Sequence, residues 1–239
     1  MRLEGLAPGV LLPALAAGLL VLATHVPLGM EVLRRGIIFI DLAVAQFAGF
    51  GIVVAAALGA ESHGWQMQAA ALAAALAGAL FLRWREKRDP AHQEALIGVS
   101  FVAAACATIL VLAKDPHGGE HMRELLVGQI LWTTWGDLIP LALVSAAVIA
   151  AWHRFRLAFY PLFAVAITAS VQFVGVYVVF ASLIVPALAA RGGAAKGYLV
   201  GILGYAAGLF ASALFDLPAG AAIVLALVLA GAAVRRRSR

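Results

Sequence analysis

Three places along the chain stand out among the groups able to coordinate a metal ion. The richest is "DPHGGEHMRE", Asp115 to Glu124, with two histidines and three acids in ten residues. Within it, His117-x-x-Glu120-His121 fits the inverted zinc-protease pattern, in which a helix sets two imidazoles four apart on one face while the glutamate polarises water. Gly118 and Gly119 oppose that helix, because two glycines cost about 2 kcal/mol of helix propensity relative to alanine. They suit instead a tight loop in which imidazoles and a carboxylate converge briefly on a borderline ion such as zinc. A solvated connector that never meets metal is the third reading of the same residues. The second place is Asp41, in "RRGIIFIDLAVAQFAGFG"; the third is His25, in "LATHVPLG".

The surroundings of these residues decide what they face. The 239-residue chain is 64% hydrophobic and 12% charged, with a mean hydropathy of +1.00, too little polar surface for a soluble globule. It therefore reads as an integral membrane protein, all-α and forming a single domain over 1–239. A requirement of roughly 20 apolar residues per crossing predicts helices near 8–28, 36–59, 65–84, 95–113, 137–152, 197–214 and 217–234. The run 161–190 is too long for one crossing, and Gly175 and Pro186 are positioned to break it into a full helix and a short or tilted one. The total is about eight or nine spans. Cys106, alone of its kind and inside an apolar segment, is expected to be a small core residue.

Basic residues gather at Arg34/Arg35, Arg83/Arg85/Lys87/Arg88, Arg154/Arg156, Arg191/Lys196 and the closing "RRRSR". Alternate loops carry Glu61, the acidic histidine cluster and Asp216. The positive-inside rule makes the basic loops cytoplasmic, provided 161–190 crosses and returns. The N-terminus is then outside, the C-terminus inside and the histidine cluster extracytoplasmic. The net charge of +5 follows this loop pattern, so it reads as topology and lipid contact, with no nucleic-acid role.

An ionisable residue in an apolar span is costly unless paired or wet, which makes each a functional candidate. Asp41 is expected about one turn into the second helix, with Gln46 offset around it by roughly 140°. The face of Asp41 continues through Val44, Ala45 and Ala48, small enough to pack against a neighbouring helix or to line a narrow path. His25 sits before Pro27, so it either contacts substrate or bonds a carbonyl that the proline leaves free.

Five segments together carry a resemblance. "PLGMEVLRRGIIFIDLAVAQFAGFG", "EALIGVSFVAAACATILVLA", "ELLVGQILW", "VQFVGVYVVFASLIVPALAAR" and "FDLPAGAAIVL" resemble, in order and spacing, the permease subunit of ABC-type zinc and manganese importers. The resemblance implies a type II (cobalamin-importer-like) permease fold in a bacterial inner membrane. It implies a second copy of the chain, cytoplasmic ABC ATPase subunits and an extracytoplasmic metal-binding protein as partners. The chain itself would be no enzyme and hold no permanent cofactor; Zn2+ or Mn2+ would be its cargo. Asp41, His25, His117, Glu120 and His121 would then be transient contacts. The histidine favours zinc modestly, since imidazole is the softer donor.

Three departures accompany it. The family commonly has histidine four residues after the helix-two aspartate, where this chain has Ala45, and aspartate where this chain has Gln129. Only about seven residues, His153 to Phe159, stand where many relatives have a longer ATPase-docking stretch. That short stretch keeps a stand-alone secondary metal transporter in view, and the His117/Glu120/His121 cluster a membrane metallopeptidase.

Overall fold

The computed structural model describes residues 8–60, 64–113, 126–154, 158–190 and 193–237, with side chains described to residue 234. Among these residues the structure is helical: α1 (Pro8–Arg35), α2 (Ile40–Ala57), α3 (Trp65–Arg88), α4 (Gln93–Leu112), α5 (Trp135–Arg154), α6 (Phe159–Ala189), α7 (Ala194–Phe215) and α8 (Ala219–Arg237). Single 3-10 turns cover Pro90–His92 and Ile130–Trp132. Helices α1 to α7 are long and apolar enough to cross a membrane, and Ala219–Val234 is a shorter apolar helix. Helix α6 is the most enclosed by its neighbours and α4 the least.

α1 runs seven residues beyond its expected end. Pro27 lacks the N–H that would bond four residues back, but a membrane helix tolerates that loss where neighbours cover it, and Val26 and Leu28 are buried. The helix stops at Arg35 with a Schellman closure, Ile37 N–H to Val32 O at 3.3 Å. The N-terminus of α2 therefore moves to Ile40, and Asp41 falls in its first turn rather than one turn inside. Cys106 is exposed on the outward face of α4 and is not the core residue its apolar setting suggested.

The run expected to break does so at Gly175, with φ 78° and ψ 163° inside α6. A straight 31-residue helix would be roughly 46 Å long. Instead both ends of α6 lie near one end of α1: Arg35 stands 4.5 Å over the Phe159 ring, while Gly29 packs against Leu183 and Ala187. The chain therefore reverses at Gly175. Its partner there is Gly128, also at positive φ (70°), whose backbone lies directly against Val174 and Gly175. Gln129 N–H completes the junction by donating to Phe173 O at 3.2 Å. A Cβ on either glycine would collide with backbone, so this crossing requires both.

The same close approach recurs between helices. Gly18 lies under the Tyr205 ring, Leu22 packs on Gly201, and Gly208 meets Ile223, which sets α1, α7 and α8 side by side. Small residues do this in membranes because lipid gives no hydrophobic drive and packing distance must supply the contact. Tyr205 shares a 2.8 Å hydrogen bond with Ser182, tying α7 to the second half of α6.

Candidate metal path

The ends of α1, α3, α5 and α6 that carry the basic residues meet at one face of the bundle. Arg35 donates to Glu31 at 2.7 Å, reaches Glu86 of α3 at 3.7 Å, and stacks on Phe159 and, at 6.0 Å, Tyr160. Arg34 forms a second pair with Glu31. A cavity of about 680 Å³ opens at the same end, lined by Thr24, Pro27, Arg34, Trp152, His153 and Tyr198 among others.

Asp41 is fully buried, and beyond the backbone N–H groups of Asp41 and Leu42 in its own turn neither carboxylate oxygen has a partner. Its position in the first turn of α2 is favourable for an anion, because the unpaired N–H groups there carry partial positive charge. That compensation is partial. Val44, Ala45 and Ala48 on its face are buried too, so this side of α2 packs within the bundle. Gln46 is also buried.

His25 is fully buried on the stripe of α1 that includes Leu22 and Gly29, in the seam with α6 and α7. The carbonyl freed by Pro27, that of Ala23, is not its partner. Thr24 Oγ1 lies 3.0 Å from both Val21 O and His25 Nδ1, and with its hydroxyl hydrogen on Val21 O it accepts from Nδ1. In that arrangement the ring hydrogen is on Nδ1 and Nε2 is a bare lone pair; Nε2 is buried and without a partner. A fixed tautomer of this kind is what a metal-ligating imidazole uses.

His25 and Asp41 do not join a larger ligand set: among the described residues no three His, Cys, Asp or Glu side chains converge. His117, Glu120 and His121 lie outside the described residues, as does part of the short stretch after α5. Sequence reasoning missed Glu94. It begins α4, half-buried, accepts Phe39 N–H at 3.2 Å through Oε1, and leaves Oε2 buried and unpartnered. Its signal is slight, since an acid in a first helical turn is common wherever helices begin. Thr24, which orients His25, carried no signal in sequence.

The sequence profile of the ABC 3 transport family matches residues 9–160 and 150–234. The chain belongs to that family. It is accordingly a multi-pass membrane protein, the permease of a metal-ion ABC transporter. Its fold is similar to that of PsaBC from Streptococcus pneumoniae in complex with Fab, with a TM-score of 0.74 at 18% identity over 98% of this chain and 95% of that one. It is also similar to an inward-facing structure described as a metal-chelate type ABC transporter, with a TM-score of 0.63 at 16% identity over 95% and 85% of the two chains. At these identities the likeness is one of fold, and it agrees with the ABC permease architecture expected from the five segments. Within that frame the permease holds two enclosed metal-capable groups, Asp41 and His25, on separate helices.

Proposed function

We propose that this permease conducts zinc into the cytoplasm through the bundle, with Asp41 as a transient ligand on the way. The observation that carries the reading is a fully buried carboxylate with no side-chain partner and no cation paired to it. Ionising a carboxyl in a bundle core without a charge partner costs several kcal/mol, and a passing cation supplies that partner. His25 Nε2 supports zinc over manganese, because a neutral imidazole is the softer donor. Sparse ligands suit transport, since a full tetrahedral set would trap the ion.

In this reading two copies of the permease form the path, soluble ATPases bind the basic face and supply the energy, and an extracytoplasmic protein delivers the ion. The N-terminus lies outside and the C-terminus inside. The loop with His117, Glu120 and His121 lies outside, where it receives the ion. The test is zinc uptake into proteoliposomes holding the permease with its ATPase and binding protein. Uptake that requires ATP and falls roughly tenfold or more in Asp41→Asn, with assembly unchanged, is the expected result. Uptake by that variant at the wild-type rate would make Asp41 structural. ATP-independent uptake by the permease alone would favour a secondary transporter.

A further inference from the structure

Asp41 is without a ligand partner on its own helix, since the position one turn on is Ala45. A second acid stands near it from α4. The hydrogen bond from Phe39 N–H to Glu94 Oε1 at 3.2 Å pins Glu94 against the start of α2, two residues before Asp41. Three carboxylate oxygens, Asp41 Oδ1, Asp41 Oδ2 and Glu94 Oε2, are buried there with no side-chain partner, only the backbone N–H groups of the first turn of α2 standing beside Asp41. No salt bridge reaches them among the described residues, and Arg35 is committed to Glu31, Glu86 and the Phe159 ring. Two neighbouring carboxylates repel when both are ionised, and a divalent cation between them removes the repulsion and supplies the missing partners together.

We propose that Glu94 is the second carboxylate ligand of the cation that passes Asp41, supplying from α4 the donor that α2 lacks at Ala45. This rests on Asp41 being a metal contact. The two oxygens sets belong to different helices, so the site is strong only while α2 and α4 hold their present spacing. A movement between them releases the ion. Two carboxylates are also hard donors, so this point of the path admits manganese as readily as zinc, while His25 provides the softer contact.

The test uses the complete transporter in proteoliposomes, with zinc and manganese as separate cargoes. Glu94→Gln keeps an oxygen to accept Phe39 N–H and removes the charge. Its uptake should fall roughly tenfold, with manganese falling more than zinc and the thermal midpoint unchanged. Adding Asp41→Asn should cost little beyond the slower single variant, because both act on one ion. Glu94→Asp should recover part of the rate. Asp41→Asn at the wild-type rate would overturn the reading of Asp41 itself. A slow Asp41→Asn beside a wild-type Glu94→Gln would overturn only the role of Glu94. A slow Glu94→Gln with an unchanged zinc-to-manganese ratio and a lowered thermal midpoint would reduce Glu94 to a cap on α2.

Discussion

Thr24 shows how a residue with no metal chemistry of its own enters the metal path. With its single hydroxyl hydrogen on Val21 O, Thr24 accepts from His25 Nδ1, and His25 presents Nε2 bare. Thr24→Val keeps the shape and removes the hydroxyl, so the ring loses its orienting acceptor. Zinc uptake should fall, by less than in His25→Ala, and the apparent affinity for zinc should suffer more than the maximal rate. Loss of such an orienting partner typically costs about tenfold or more in metal affinity. Equal uptake by Thr24→Val and wild type would remove the role. At this scale the sequence singled out Asp41 and His25 as candidates, because a charge or imidazole in an apolar run is conspicuous, and both are buried. It hid Thr24 and Glu94, whose positions are ordinary until packing leaves an atom without a partner.

Among the elements, the junction of Gly128 with Gly175 carries the clearest demand. Both have positive φ and both touch backbone where a side chain would begin. Gly175→Ala should lower the thermal midpoint in detergent, with a backbone penalty of about 1–3 kcal/mol before any collision with Val127 is counted. Gly128→Ala should do the same, and the pair should cost less than the sum of the two, since one shift of segment 126–129 relieves both. Midpoints within a degree of wild type would show that the crossing is soft. The break was legible because 30 apolar residues overfill one crossing and Gly175 lies near their middle. The length of α1 was not, because Pro27 reads as a stop in isolation and only burial by neighbouring helices lets the helix pass through it.

For the molecule as a whole, Arg34, Arg35, Glu86, His153 and Tyr198 come to one end. Sequence anticipated that grouping from charge alternation, and the structure adds that Arg35 binds α1, α3 and α6 there. With Cys106→Ala removing the native thiol, Leu217→Cys should react with an impermeant maleimide on intact cells, and Arg88→Cys only after permeabilisation. The opposite pattern would invert the topology. The reversal at Gly175 has a further consequence for biosynthesis. The apolar run of α6 is long enough to cross as one straight helix, and in that form α7 and α8 would each be threaded the wrong way round. The brake is segment 126–129, made some 45 residues earlier, so the final orientation of the C-terminal third is decided by a contact with chain already in place. Replacing Gly175 with leucine should therefore yield two populations of permease with opposite C-terminal sides, readable by a tag protected in one and cleaved in the other.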